Sequence, residues 1–230
     1  MSSSSIVRLV AQTSESQAGW LTENLLELTR GGSEWVLWLL LFMLIGVLIV
    51  FFERLSFLRK VHVDHEAMRR EMTQRLRDGD VAGLLDAWKE NESMQARVLS
   101  YGLQDADRGP DAVLELCAGA LGSERLRYEK RLSYLATVGS NAPFIGLLGT
   151  VMGVILAFDY LKDSTGAGGP STAVMGVIAE ALIATGVGLL VAIPAIVFFN
   201  ILKLRVAKNI TQTKLLAQSA AAYLRESNGA

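Results

Sequence analysis

The sequence predicts an all-α membrane protein that crosses a bilayer three times. Residues 35–52, 135–161 and 173–202 are mostly apolar, and a helix of about 20 such residues is long enough to cross the hydrocarbon core. Residues 53–134 are polar instead, so a chain that is 51% hydrophobic also carries 20% charged residues. Only four prolines occur among its 230 residues, and this scarcity favours helices throughout.

The composition excludes several classes of function. The net charge of −1 gives no electrostatic reason to expect a nucleic-acid partner. Cys117 is the only cysteine, so an internal disulfide bond is impossible. The sequence contains no phosphate-binding loop, no nucleophile elbow, no zinc-binding spacing and no dinucleotide fingerprint. We therefore expect a protein that is not an enzyme and that holds no cofactor or metal ion.

The first two elements of the chain are an N-terminal arm and the first span. Residues 1–34 form an N-terminal arm that contains charges and lacks the apolar run of a secretory signal peptide, so we expect targeting to come from the first span. Residues 35–52 are eighteen residues without a charge. Such a run is typical of a transmembrane helix rather than of a buried helix in a soluble protein.

The distribution of lysine and arginine predicts the orientation of the chain in the membrane. Residues 53–134 carry fourteen of these residues and the tail, residues 203–230, carries five. The N-terminal arm carries two, and the short link at residues 162–172 carries one. Because basic residues next to the spans favour the cytoplasmic side, we expect residues 53–134 and the tail in the cytoplasm, and the N-terminal arm and the link in the periplasm.

The cytoplasmic segment, residues 53–134, is predicted to be helical. Asp80 is placed to cap a short helix through Trp88, because an aspartate accepts hydrogen bonds from the amides of a first turn. His62 and His65 are three residues apart and are predicted to share a solvated helix face. Two imidazoles without a cysteine or a set of carboxylates nearby make a poor metal site.

A longer helix is predicted to lead into the second span. Gly109-Pro110-Asp111 signals a helix start, since proline suits the first turn. Nothing in the sequence stops this helix before Pro143, so we expect one helix from Asp111 to Tyr160, about 75 Å long. Cys117 is interpreted as a small core residue of its apolar stripe. The members of this stripe are Val113, Leu114, Cys117, Leu121, Leu132 and Leu135.

Small residues follow one side of each of the two later spans. Such a stripe lets another helix approach closely, which drives association in lipid. In the second span its members are Gly139, Pro143, Gly146, Thr150, Gly153 and Ala157, and in the third they are Ile178, Ala181, Thr185, Gly188 and Ala192. We expect helix packing and kinking to depend on Gly139, Pro143, Gly146, Gly149, Gly153, Gly188, Ala192 and Pro194.

Thr150 and Thr185 are the central hydroxyls of these two stripes, and two interpretations of them stay open. Each hydroxyl can donate to a carbonyl three or four residues back in its own helix. Alternatively, the two hydroxyls line a polar seam that faces a pathway for protons or sodium ions. The spacing of the residues does not favour one interpretation over the other.

Glu180 is the only charged residue within the third span. An ionisable group in lipid is costly, so it usually faces a cavity or a partner. It lies about 140° around the helix from Thr185, so a subunit contact or an entrance is the expected place for it. No aspartate or histidine occupies the middle of a span, because Asp159 lies near the end of the second one. An ion-driven machine would therefore take its essential membrane acid from another chain.

Two segments resemble the signatures of a known family. Ala136–Gly153, ATVGSNAPFIGLLGTVMG, resembles the second-span signature of the MotA/TolQ/ExbB proton-channel family. Ile178–Ala195, IAEALIATGVGLLVAIPA, followed by Asn200, is similar to the third-span signature. The order, the spacing and the three-span layout match from about residue 35 to residue 200. Because MotA-type relatives have four spans, the layout resembles the ExbB/TolQ branch more.

The resemblance implies a homopentamer around a central pore in the bacterial inner membrane. Single-span partners of the ExbD/TolR kind would occupy that pore and bring a protonatable aspartate. Thr150 and Thr185 match the pore-lining threonines of the family, and Glu180 matches its third-span glutamate. The implied function is that of a scaffold subunit in a motor that converts the proton motive force, or a sodium gradient, into mechanical work.

Other functions remain to be weighed against the motor. A structural membrane anchor would gather helices without conducting ions. A self-sufficient channel would need an aspartate or histidine in the middle of a span, which this chain lacks. The process that a motor would power, whether nutrient import, envelope maintenance or gliding, depends on the partner and is not encoded in this chain.

Overall fold

A computed structural model describes residues 34–163 and 172–228 of the chain. These residues form helices and no strand, which confirms the all-α prediction for the part of the chain described. The helices are α1 (Glu34–Lys60), α2 (His65–Arg77), α3 (Val81–Trp88), α4 (Met94–Leu103), α5 (Pro110–Glu129), α6 (Leu132–Asp163) and α7 (Thr172–Asn228), with a 3₁₀ turn at Ala106–Arg108. The predicted arm, apart from Glu34, and most of the predicted link lie outside the described residues.

Three helices, α1, α6 and α7, are long and apolar enough to cross a membrane, as the sequence predicts. They leave large apolar side chains uncovered: Phe42 and Phe144 are each 68% exposed and Leu182 is 65% exposed. Contiguous apolar surface of this kind is rare on soluble monomers and is covered by lipid or by other proteins.

The helices contribute to two compact units. In unit 1 the described residues are 34–46, 137–163 and 172–196, and they belong to the apolar parts of α1, α6 and α7. Unit 2 contains residues 47–136 and, in its described part, 197–228. It therefore holds the short helices together with the remaining parts of the long ones.

Polar caps set the starts of the short helices in unit 2. Asp64 precedes α2 and accepts a hydrogen bond from the amide of Glu66 at 3.0 Å. Asp80 accepts from the amide of Gly83 at 2.9 Å, and the helix that it caps ends at Trp88, as predicted. Each cap satisfies amides that the first turn would otherwise leave unpaired.

An aromatic pair, Phe57 and Tyr128, packs with two arginines in unit 2. The Phe57 ring lies 5.3 Å from the guanidinium carbons of both Arg54 and Arg127. Its edge meets the ring of Tyr128 with centroids 5.2 Å apart. The buried Tyr128 hydroxyl accepts a hydrogen bond from the amide of Met94 at 2.9 Å. Burial lowers the pKa of the Arg54 guanidinium, which lies over the Phe57 ring within cation–π distance.

The predicted single helix from Asp111 to Tyr160 is wrong. Helix α5 ends at Glu129 and α6 starts at Leu132, because the backbone between them is not helical. Lys130 has a ψ of 132° and Arg131 has a φ of 64°. The Arg131 guanidinium pairs with the Glu53 carboxylate, which anchors this left-handed residue in unit 2. The other start signal is confirmed, since α5 begins at Pro110.

The predicted apolar stripe is therefore divided between two helices. Val113, Cys117 and Leu121 are buried on α5, whereas Leu132 and Leu135 are buried on α6, and Leu114 is half-buried. Cys117 is 2% exposed, and its Sγ lies 3.6 Å from the Val98 carbonyl oxygen. Burial raises the pKa of the Cys117 thiol to about 11, so the residue is a core residue, as predicted, and stays protonated at neutral pH.

The predicted shared helix face of His62 and His65 is also wrong. Helix α1 ends at Lys60 and α2 begins at His65, so His62 lies in the connection between them. His62 is exposed, whereas His65 is half-buried and its Nδ1 atom is buried. His62 is therefore solvated, whereas His65 is only partly so.

Candidate functional site in the second and third spans

Helices α6 and α7 approach each other backbone to backbone in unit 1. A Cβ atom added at Gly146 would lie 2.8 Å from the Ala184 carbonyl oxygen and 3.2 Å from the Gly188 Cα. A Cβ atom added at Gly188 would lie 2.8 Å from the Ala142 carbonyl oxygen and 3.1 Å from the Gly146 Cα. Only glycine fits on either side, because the neighbouring atoms belong to the main chain and not to side chains that can rotate away.

Further small residues extend this contact in both directions along the two helices. A Cβ atom at Gly139 would come within 2.5 Å of the Ile196 side chain. At the opposite end, a Cβ atom at Gly153 would overlap that of Ala181. Three of the glycines predicted for the second span therefore serve a contact between two helices of the same chain.

Gly149 lies against α1 as well as α7. An added Cβ atom would lie 2.8 Å from the Ala184 Cβ and 3.3 Å from a Val36 side-chain carbon. Val36 belongs to α1, so all three span helices meet at this position. On α7, Ala192 is buried.

Thr185 lies at the centre of the contact between α6 and α7. Its hydroxyl donates a hydrogen bond across to the Gly146 carbonyl oxygen at 3.1 Å. This arrangement differs from a bond within its own helix, which was one of the two interpretations open from the sequence. The bond is available because the glycines bring the two backbones close enough for a threonine to reach the other helix.

Thr150 behaves differently. Its hydroxyl donates to the Leu147 carbonyl oxygen at 2.7 Å, three residues back in the same helix. The side chain is half-buried, as is that of Thr185. Both hydroxyl protons are therefore bound by main-chain carbonyls, and the oxygen lone pairs remain available to accept.

Two prolines lie within the span helices without ending them. Helix α6 continues through Pro143 and α7 continues through Pro194. A proline in a helix has no amide to donate, so the carbonyls of Gly139 and Leu190, four residues earlier, lose their usual partner. Pro143 and Pro194 are both half-buried.

Each of the two predicted spans carries one charged residue. Glu180 is half-buried and precedes Thr185 by five residues on α7. Asp159 is half-buried near the end of α6. No group of three or more histidine, cysteine, aspartate or glutamate side chains able to hold a metal ion occurs among residues 34–163 and 172–228.

One polar group on α6 was not singled out from the sequence. The side chains of Thr137, Ser140 and Asn141 are exposed within one turn near the start of the second span. The Asn141 amide donates to the Thr137 carbonyl oxygen at 2.8 Å, and the Ser140 hydroxyl donates to the same oxygen at 3.1 Å. Three polar side chains in one turn of an apolar span are a signal that could have identified this group.

The chain shares long stretches with known proteins. The MotA/TolQ/ExbB proton channel family matches residues 90–214. An ExbB-like biopolymer transport protein of Helicobacter pylori is 57% identical over 77 residues, which cover 34% of this chain and 50% of that protein. The Tol-Pal system protein TolQ of Pseudomonas aeruginosa is 44% identical over 95 residues, 40% of each chain.

A further relative is the biopolymer transport protein ExbB of Aquifex aeolicus. It is 44% identical over 81 residues, which cover 35% of this chain and 53% of that protein. The chain therefore spans about half the length, or less, of these curated relatives. The matched family region includes α6, the apolar part of α7 and the glycine contact between them. With more than half of its length inside that region and three helices able to cross the inner membrane, this chain belongs to the MotA/TolQ/ExbB proton channel family.

Proposed function

We propose that this chain is the scaffold subunit of a proton-driven motor in the bacterial inner membrane. The observation that carries the proposal is that the two family-signature segments form one tightly packed helix pair with Thr185 at its centre. The same helices leave large apolar side chains uncovered. In the proposed homopentamer, neighbouring copies and lipid cover these side chains, and the copies surround a central pore.

The proposed orientation places the N-terminal arm and the link in the periplasm. Residues 53–134 and the tail then lie in the cytoplasm. This orientation is supported by the nineteen lysines and arginines in those two cytoplasmic segments, against three in the arm and the link.

The motor requires a partner because the spans lack an aspartate at mid-membrane depth. A single-span subunit of the ExbD/TolR kind would place its aspartate in the pore, where the threonine oxygens can accept a hydrogen bond from the protonated carboxyl. Glu180 would stabilise a subunit contact or the entrance to the path. Each proton that passes would change the charge of the partner's carboxyl, and this change would turn the pentamer relative to its partner.

The test compares hydroxyl removal with hydroxyl retention. Thr150→Val and Thr185→Val should each abolish proton flux in vesicles that contain this chain and its partner, while Thr150→Ser and Thr185→Ser retain it. Insertion and oligomer size are measured in parallel, so a failure to assemble is recognised separately. Normal flux in both valine variants would refute the proposal. Flux that requires sodium and not protons would show that the motor is driven by sodium ions.

An alternative function is favoured by one specific observation. Both threonine hydroxyls are already bound by carbonyls of the same chain, as expected of a structural anchor that holds helices together without conducting ions. An anchor predicts that Thr150→Val is tolerated and that nothing depends on the proton gradient. Thr150 separates the two functions best, because its hydrogen bond stays within one helix and contributes nothing to the contact between helices.

A further inference from the structure

A basic cavity lies in unit 2, where α1, the connection after it, α2 and α7 meet. Its volume is about 410 Å³. Five basic residues line it: Arg59, His62, His65, Arg205 and Lys208. The other lining residues are Leu58, Asn209 and Gln212. No acidic residue is among the lining residues.

The positive charges of this cavity are not neutralised within the described part of the chain. Arg59, Arg205 and Lys208 make no ion pair there, whereas Lys60, next to one of them, pairs with Glu92 at 3.1 Å. Many other arginines of unit 2 are paired with carboxylates as well. Concentrated positive charge without a counter-ion favours binding of an anion.

Two buried polar atoms at the cavity have no partner outside it. His65 Nδ1 and Gln212 Oε1 make no hydrogen bond of good geometry, and the interaction that each has is with the other side chain. Such atoms cost free energy unless a ligand or water satisfies them. An imidazole and an amide can both donate to a phosphate oxygen, since the amide can present its NH₂ group after a half-turn. In contrast, the neighbouring Asn209 is engaged, because it bonds to Gln95 at 3.1 Å and to the Arg205 carbonyl at 3.1 Å.

Positive groups surround His65. Its pKa is lowered mainly by burial and then by His62 and Lys208, whereas a side-chain hydrogen bond with Gln212 and the charge of Asp64 act in the opposite direction. The Asp64 carboxylate is committed elsewhere, since it caps α2. An anion in the cavity would relieve this mutual repulsion.

The cavity lies close to the ends of two spans along the chain. Arg205 follows the predicted third span by three residues and Arg59 follows the first by seven. Both belong to helices that continue out of those spans, so the separations correspond to about 5–10 Å at helical rise. That distance corresponds to the headgroup layer of a bilayer, where phosphate groups are abundant.

We propose that this cavity binds the phosphate group of an anionic phospholipid from the cytoplasmic leaflet. Arg59, Arg205 and Lys208 supply the charge, and His65 and Gln212 supply hydrogen bonds to the oxygens. Basic pockets at the cytoplasmic ends of transmembrane helices suit such headgroups. The proposal rests on the orientation proposed above but not on ion conduction, and its test contains neither a partner subunit nor an ion gradient.

The test measures lipid retained by the full-length protein. The protein is extracted from phosphatidylethanolamine vesicles with or without phosphatidylglycerol and analysed by native mass spectrometry. A triple variant, Arg59→Gln, Arg205→Gln and Lys208→Gln, should bind phosphatidylglycerol more weakly, with the affinity reduced about fivefold for each residue replaced. Retention of phosphatidylethanolamine should not change.

A matched triple variant controls for the change in net charge. Arg69→Gln, Lys89→Gln and Lys130→Gln remove three exposed charges of unit 2 that do not line the cavity, and this variant should retain phosphatidylglycerol like the wild type. Equal losses in both triple variants, or none in either, would overturn the proposal. If the cavity variant does not fold, Lys208→Gln and Arg205→Gln alone are scored against Lys89→Gln.

A final arm separates a lipid from free phosphate as the source of the ligand. Inorganic phosphate is titrated against delipidated protein in neutral detergent while the melting temperature is recorded. The proposal expects little stabilisation, and it expects a larger effect from phosphatidylglycerol that the cavity variant abolishes. Full stabilisation by inorganic phosphate without lipid retention would assign the cavity to free phosphate and overturn the membrane source.

Discussion

At Gly146 and Gly188 the backbones of two helices touch without a side chain between them. In lipid the hydrophobic effect does not hold helices together, so close packing and hydrogen bonds must do so. The glycines provide the first of these, and Thr185 provides the second through its bond to Gly146. The second depends on the first, because the hydroxyl reaches the neighbouring carbonyl only at this close approach.

Replacing one contact glycine should separate the two helices. Gly188→Ala places a Cβ atom 2.8 Å from a carbonyl oxygen of α6, and overpacking of this kind costs about 1–3 kcal/mol. We expect lower stability in thermal unfolding of the purified protein in detergent. Gly186→Ala is the matched control on the same helix, since an added Cβ atom there has no neighbour within 4 Å. Equal destabilisation by both changes would contradict this account.

The stability of unit 2 should depend on pH through His65. Its pKa is lowered from 6.5 in the folded protein, so the unfolded chain protonates this imidazole at a higher pH than the folded protein does. The contribution of neutral His65 to the free energy of unfolding is therefore complete above pH 6.5, and it is lost as the pH falls toward the lowered pKa. The groups that act on it are His62, Lys208, Gln212 and Asp64.

The measurement is a series of melting temperatures between about pH 7.5 and pH 5. The wild type should lose stability toward the acid end, and His65→Gln should reduce that loss. Added phosphatidylglycerol should also reduce it, because a phosphate near the imidazole favours the protonated form. An identical pH dependence in wild type and His65→Gln would assign the effect to other groups.

At the scale of helices, the sequence predicts the spans well and the connection before α6 poorly. About 20 apolar residues in succession allow few alternatives to a membrane helix. The break at Arg131 has no such signal, because a non-glycine residue with positive φ depends on a distant contact, here the pair with Glu53. Helix starts at Asp80 and Pro110 were predictable because their signals are local.

Substitution at Arg131 tests the origin of the break between α5 and α6. A β-branched residue is strained at a φ of 64°, whereas glycine adopts it freely. We expect Arg131→Val to be less stable than Arg131→Gly by about 1–2 kcal/mol. Both variants lose the ion pair with Glu53, so that loss cancels in the comparison. Equal stability in denaturant titrations would show that this conformation is not maintained in solution.

At the scale of the whole molecule, the sequence identified the glycine stripes but not their partners. Small residues predict close approach in general, whereas the structure assigns the stripe of α6 to α7 of the same chain. The basic cavity could not be predicted, because Arg59 and Lys208 are far apart in sequence and meet only in the folded unit. Family membership follows from residues 90–214 as a whole, whereas the proposed motor function would depend on chains that this sequence does not contain.

The glycine contact has a mechanical consequence. Side chains between helices act as a soft layer, since rotamer changes let one helix shift slightly before the other responds. No such layer separates α6 from α7 at Gly146 and Gly188, and Thr185 adds a transverse tie. A torque that a neighbouring polypeptide applies to either helix is therefore transmitted directly to the other, so that the two helices turn together.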